Sequence, residues 1–376
     1  MATSDGNGVK VGLRGECVVL FAFDVGPSVD LARAEQLFVG FERLDRLVVR
    51  GAASTEIQAV PRPLRLRRRG ESVRLGAREA AFDLDVWLYD FGGLSIAYTL
   101  RHEGELATWI ALSIELQASR ELVDDARLRI AALLQSISSA IAKPDLSATL
   151  EDYLIYRFDP PSERGGAERW CDAHAADLAR LLRAERQELS QQEVADALGS
   201  RVAFGTTDLA IVDWNAAVLF DTEPDEVVAV LEFANLQLCE LRFLDRQLDQ
   251  ALDDAYDSLV DRVWRGVHLP GAFDRELSRV SRHQVDAAVL YERVTNALKL
   301  YNDQYLARVY RQASARLRLS EWSANILRKL ETLDGVYQKI QDRAESRRME
   351  ALEWIIIVLI AISMILPFVP GYGGGH

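Results

Sequence analysis

Cysteine is scarce in this chain. Three stand in 376 residues, at Cys17, Cys171 and Cys239. They are far apart and fit no metal-ligand spacing, and an odd count without a framework argues against a disulfide-built secreted protein. The five histidines, His102, His174, His268, His283 and His376, include no pair at metal spacing. A glycine-rich loop followed by Lys and Ser or Thr is missing, which removes the common phosphate cradle. No serine sits in a nucleophile elbow. The opening residues, MATSDGNGVKVG, hold no apolar run of the signal-peptide kind, so the bulk of the chain is expected in the cytoplasm.

What is present is acidic, with a net charge of −13 and a pI near 5.0. Such a chain repels nucleic acid and anionic lipid except where cations cluster. One cluster exists, PRPLRLRRRG, with Arg62, Arg65, Arg67, Arg68 and Arg69. It has no interleaved aromatic for base stacking and reads as a solvated loop or edge strand. The pair Gly165-Gly166 before a helix reads as a loop and helix start rather than an anion cradle. Asp249, Asp253, Asp254, Asp257 and Asp261 recur along one helix and read as a solvated face. Half the residues are hydrophobic, and 376 residues give room for two or three domains.

The first part alternates in period two. ECVVLFAFDVG reads as a strand ended by Gly26 and Pro27, with a short helix from about Val29 to Phe38. AFDLDVWLYDFGGLSIAYTL reads as two strands about the turn Asp90-Phe91-Gly92. A helical stretch from about Leu106 to Ile141 breaks near Ser119 and stops at Lys143-Pro144. The order then recurs: strand DYLIYRFDP, helix Ala167 to Ala184, and a hairpin about Asp213-Trp214-Asn215. Gly92 and Asn215 are residue types that tolerate positive φ in tight turns. The fold class expected is therefore α+β, with two β-α-β-β-α units related to the ferredoxin-like pattern, at 1–145 and 150–223. The last helix of the second unit continues into the next segment.

Residues 224–350 read as helix throughout. Leu231, Ala234, Leu238, Leu241, Leu244, Leu248 and Leu252 keep a spacing of three and four, and a second helix is expected over Asp274 to Ala315. In a third helix Ile326, Leu330, Leu333, Tyr337, Ile340 and Ala344 form a heptad seam. This predicts an antiparallel bundle or coiled-coil arm, and a possible homo-oligomer through it. Residues 351–370 follow. Trp354, Ile355, Ile356, Ile357, Val358, Leu359, Ile360, Ile362, Ile365 and Leu366 are the expected membrane-anchor positions. The uncharged stretch to Val369 would span about 24 Å. A hydrocarbon core is about 30 Å thick. Arg343, Arg347 and Arg348 precede it, as the positive-inside rule wants on the cytoplasmic side. The expectation is a single-pass transmembrane helix at the C-terminus, its partner the lipid bilayer.

The segments VLEFANLQLCELRFLD (230–245) and LEWIIIVLIAI (352–362) resemble the family named for the protein required for meiotic nuclear division. That family has fungal, mitochondrial and bacterial members, and this chain is similar to a distant bacterial one. The likeness covers roughly Asp152 to Ile365. It departs in the hairpin, where the family carries Gly and a terminal Phe-Trp pair and this chain has DWNAAVLF. The resemblance implies an integral membrane protein that tethers a partner, with no enzymatic activity and no cofactor to carry over. It also singles out Glu240, Arg242 and Asp245. Arg242 and Asp245 stand three apart and can pair. The structural reading, an ion pair fixing the helix against the β domain, is preferred.

The function expected is a non-enzymatic, tail-anchored tether or scaffold for a protein partner. An arm of about 45 residues would reach roughly 67 Å. The alternatives are an enzyme with a cleft between the two α/β units, or an RNA-binding module. The acidic balance counts against nucleic acid.

Overall fold

The computed structural model describes residues 12–44, 63–161, 166–206, 208–265, 292 and 304–365. Eleven strands are found among them: β1 Leu13–Asp24, β2 Ser28–Val29, β3 Glu42–Arg43, β4 Leu64–Leu75, β5 Arg78–Leu88, β6 Gly93–Gly104, β7 Ile141–Ala142, β8 Glu151–Phe158, β9 Arg201–Val202, β10 Leu209–Val212 and β11 Ala216–Phe220. The helices are α1 Leu31–Leu37, α2 Leu106–Gln117, α3 Arg120–Ile137, α4 Gly166–Ala173, α5 Ala175–Arg183, α6 Gln191–Ala197, α7 Asp225–Arg265, α8 Gln304–Arg316 and α9 Leu319–Ile365.

Nine strands form one mixed sheet in the order β3-β4-β5-β6-β1-β8-β11-β10-β9. The two α/β stretches thus share a sheet, joined where β1 pairs antiparallel with β8, Cys17 opposite Tyr156. Element order recurs between the halves, but strand direction does not. β6 returns antiparallel beside β1, whereas β11 returns parallel beside β8. The parallel return needs a crossover, which the helices between β8 and β11 provide.

Period-two alternation gives the sheet two apolar faces. Cys17, Val19, Phe21 and Phe23 of β1, with Leu154, Tyr156 and Phe158 of β8, join the core that α2, α3 and α5 cover. Trp109 of α2 is fully buried there, its Nε1 donating to the Leu13 carbonyl at 3.3 Å. Ser119 caps α3, accepting from Leu122 N at 3.3 Å. On the other face lie Val18, Leu20, Ala22 and Asp24 of β1. Residues 227–237 of α7 are buried without interruption, so this helix is enclosed rather than amphipathic over its first turns. Tyr310 of α8 contributes to the enclosure, its hydroxyl donating to Gln237 Oε1 at 2.5 Å.

The arginine run is not a loop. Arg65 and Arg67 lie on β4 inside the sheet, and both reach the buried Asp85 of β5. Arg67 does so in bidentate fashion, at 2.5 and 2.6 Å. Arg62 lies outside the described residues, as do Gly165 and most of the expected helix over 274–315.

The chain divides into two compact units. The first comprises residues 1–245 and 286–323, the second 246–285 and 324–376. In the second, Lys329 Nζ meets Asp249 Oδ1 at 2.6 Å, tying α9 to α7. Of the expected heptad seam, Ile326 and Leu333 are buried and Leu330 is half-buried. The side chains of Tyr337, Ile340 and Ala344 lie outside the described residues.

The expected transmembrane helix is not supported. Among the described residues no helix is long and apolar enough to cross a membrane. Glu350 and Glu353 interrupt the approach, and the described helix ends at Ile365. The charge-free part from Trp354 to Ile365 spans roughly 18 Å. Leu366 lies outside the described residues. Every residue from Leu352 to Met364 is exposed, so hydrocarbon is presented on all sides of the helix.

Candidate functional site

One end of the sheet gathers the two hairpin turns, Asp90-Phe91-Gly92 and Asp213-Trp214-Asn215, with Glu240 and Arg242. β1 ends there at Asp24 and β8 begins there at Glu151. The β5–β6 turn closes with Tyr89 N donating to Gly93 O at 2.9 Å, and Val25 N donates to Gly92 O at 3.0 Å. Gly92 sits at φ +103, and a Cβ there would fall 1.6 Å from the Gly26 carbonyl oxygen, so only glycine fits. Asp90 accepts from Val29 N through its carbonyl at 2.8 Å. The β10–β11 turn closes with Asp213 N donating to Ala216 O at 2.9 Å, and Asn215 O accepts from Leu154 N of β8 at 3.1 Å.

The two turns differ in what covers them. Phe91 is buried against Tyr89, ring centroids 5.2 Å apart. Trp214, its counterpart, is 54% exposed. Asp213 is fully buried and holds Arg183 Nε at 2.9 Å, while its carbonyl accepts from Tyr153 Oη at 2.9 Å. Burial raises its carboxyl above the ordinary range, and the Arg183 bond opposes that rise.

Glu240 and Arg242 point in different directions. Glu240 is buried under the sheet face, and neither carboxylate oxygen has a hydrogen-bond partner. Burial, then the nearby Asp24, holds its carboxyl well above the ordinary range. Asp24 is itself raised to about 7, by burial and by Asp145, with a backbone bond from Gly26 opposing. Cys239 lies beside them, its Sγ 3.2 Å from the Ala22 carbonyl. Arg242 faces outward. Its ion pair runs across to Glu151 of β8, with Nη1 at 2.6 and 2.7 Å from the two oxygens, rather than along the helix. Its guanidinium also lies over Trp322, 5.7 Å from the ring centroid. Asp245, one turn on, is half-buried.

Beside these residues opens a groove of about 610 Å³, lined by Asp196, Trp214, Leu238, Arg242, Ala315, Arg316, Leu317, Arg318 and Trp322. Arg316 is committed to the protein: it donates to Ser200 Oγ at 3.0 Å and to Asp196 Oδ1 at 3.1 Å, and lies 3.8 Å from Asp213 Oδ1. Arg318 joins α8 to α9 at φ +54, and its carbonyl accepts from Glu321 N and Trp322 N. The groove was not legible in the sequence, because its residues come from four separate stretches. Trp214 was singled out for turn pattern alone. Among the described residues, no group of three or more His, Cys, Asp or Glu could hold a metal ion.

The chain is similar to the uncharacterized protein MJ0711 of Methanocaldococcus jannaschii, 25% identical over 240 residues, which is 62% of this chain and 71% of the relative. A solved structure, that of the full-length CmaX protein, covers 60% of this chain and 78% of its own at 14% identity, with a TM-score of 0.24. That overlap is too weak to bear on the fold. The matching family model, the N-terminal domain of uncharacterized protein MJ0711, spans residues 14–226. The segments that resembled the meiotic-division family, 230–245 and 352–362, fall outside that span. The expectation of a family without an assigned activity holds, under a different family: the chain belongs to that of the MJ0711 N-terminal domain.

Proposed function

We propose that the protein is a non-enzymatic scaffold that attaches to a lipid surface through the end of α9 and presents its α/β unit to a partner. The observation that carries this reading is the exposure of every side chain from Leu352 to Met364. A contiguous apolar surface of this kind marks a membrane or protein contact. The described charge-free helix, Trp354 to Ile365, is roughly 18 Å long, which exceeds one leaflet, about half of a 30 Å core, and falls short of two. Insertion into one leaflet accommodates it without a full crossing. Trp354, 67% exposed at the start of the run, suits the interfacial level. Arg347 and Arg348 precede it in sequence and suit anionic headgroups.

The test is flotation with vesicles of mixed zwitterionic and anionic lipid, comparing the full chain with one ending at Glu350. Flotation of the full chain alone is expected. A full chain that stays at the bottom of the gradient, as a discrete oligomer or otherwise, overturns the lipid reading. A truncated chain that floats equally well overturns the assignment to this segment.

A further inference from the structure

We propose that the outer face of α8 and the β9–β10 turn beside it form a second contact with lipid. Arg308 and Arg311 bind the phosphates of anionic headgroups, and Phe204 enters the interfacial layer. This rests on the lipid attachment through α9 put forward above and names the headgroup chemistry that the attachment selects.

The sequence isolates the cations. Residues 304–320 hold Arg308, Arg311, Arg316 and Arg318 and no Asp or Glu, in a chain of net charge −13. Leu306, Val309 and Ala313 are buried and fix one side of α8 to the protein. Gln304, Arg308, Arg311 and Ala315 are exposed, and their spacing of four, three and four sets them on the opposite stripe. Arg316 is taken by Asp196 and Asp213, and Arg318 has Glu321 at 3.8 Å. Arg308 and Arg311 are not matched in this way. Arg311 has no hydrogen bond or ion pair among the described residues. Arg308 donates from Nη2 to the Ala203 carbonyl at 3.1 Å and pairs with no carboxylate among the described residues.

The aromatic part is joined to these cations by contact. Phe204 is 74% exposed in the β9–β10 turn. The Asp208 carboxylate holds that turn, accepting from Phe204 N and Gly205 N, each at 2.6 Å. The Phe204 ring meets Tyr305 edge to face, centroids 5.7 Å apart, and the Arg308 guanidinium lies over Tyr305 at 5.9 Å. An apolar ring held out in water beside unpaired guanidinium groups suits a bilayer interface, the ring at headgroup depth and the cations on phosphate.

Nucleic acid fits less well. Its unbroken run of phosphates would meet the charge of −13 with two free arginines to offset it. A mixed bilayer presents scattered anionic headgroups in a neutral background, which two cations and a ring can match. They form a second signal too weak to float the chain alone, so a chain ending at Glu350 is still expected to stay down.

The experiment is sedimentation of the full chain with sucrose-loaded vesicles at about 0.1 M salt. One set is phosphatidylcholine alone, the other phosphatidylcholine with phosphatidylserine. An arginine near an anionic surface contributes about fivefold in partitioning, so Arg308→Gln/Arg311→Gln should bind the serine-containing vesicles about 25-fold less well than the parent. Its partition onto phosphatidylcholine and its melting temperature should match the parent's. Phe204→Ala should weaken binding to both sets. Arg120→Gln/Arg169→Gln removes the same charge at exposed positions elsewhere and should cost less than about threefold. The proposal is overturned if Arg308→Gln/Arg311→Gln binds the serine-containing vesicles like the parent. It is equally overturned if the control pair loses as much, which leaves net charge as the cause, or if the α8 variant loses affinity for a single-stranded RNA oligomer and not for vesicles. A parent that ignores phosphatidylcholine yet binds the anionic set, with that binding lost in the α8 variant, refutes the α9 attachment and leaves the α8 contact standing.

Discussion

The buried carboxyls under α7 predict an inverted pH dependence of stability, and Asp24→Asn isolates it. The Asp24 carboxyl rises from 3.8 to about 7 because burial penalises its charged form and Asp145 repels it. The unfolded chain releases that proton near pH 4, while the folded chain keeps it until about pH 7. Across this window the folded state binds more protons, so stability falls as pH rises. The contribution is fully present below about pH 4 and is gone above about pH 7. Integrated from pH 5.5 to 8, it amounts to roughly 2 kcal/mol. Glu232, buried beside Tyr89 with their oxygens 2.6 Å apart, is likewise raised from 4.5 to about 7 by burial, and adds a similar amount. The parent should therefore lose roughly 4 kcal/mol over this range from these two groups, and the variant about half as much. At roughly 2–4 °C per kcal/mol for a domain of this size, the melting difference between parent and variant should change by about 4–8 °C from pH 5.5 to 8. Circular dichroism melts of the full chain in detergent at both pH values provide the assay. An Asp24→Asn chain with the same pH slope as the parent would refute the claim that this carboxyl is held protonated.

Three other perturbations follow from local geometry. Gly92→Ala places a Cβ 1.6 Å from the Gly26 carbonyl at a φ forbidden to alanine, and should cost more than about 3 kcal/mol, read as lost soluble yield or a collapsed melt. Arg183→Ala leaves the fully buried Asp213 without its 2.9 Å bond and should destabilise by roughly 3 kcal/mol in denaturant titration, with Arg183→Ala/Asp213→Asn recovering part of the loss. Trp109→Ala empties the space against Phe158, whose ring centroid lies 4.7 Å away, and should cost about 3–5 kcal/mol with no change in vesicle flotation.

The strands and both turns were legible because period-two alternation and turn residues are local signals. Ser119 was visible as a helix break for the same reason, and the structure places it as the cap of α3. α6 carried a local signal that went unread: Ser190 and Glu193 stand at capping-box spacing, and Ser190 accepts from Glu193 N at 3.2 Å. Strand direction was not legible. Nothing in the sequences of β6 and β11 states that one returns antiparallel and the other parallel, since that is decided by the chain between the strands. The burial of Glu232, Asn235, Gln237 and Glu240 was hidden for a related reason. A helix enclosed on all sides shows no polar stripe, so acidic residues on it pass for solvent-facing ones. The tail misled in another way. Its side chains read as membrane-type, but the described helix ends at Ile365, and among the described residues its charge-free part is shorter than a span.

The same contrast between local rule and placement bears on the groove. Phe91 and Trp214 occupy matching places in two hairpins that follow one pattern, yet one is buried and the other stands half in water. The turn itself therefore does not demand an exposed aromatic. Nor does the α8–α9 junction demand an arginine, since glycine would hold φ +54 at lower cost. Each residue breaks a local preference, and the two breaks line one groove, with Arg242 between α7 and β8 alongside them.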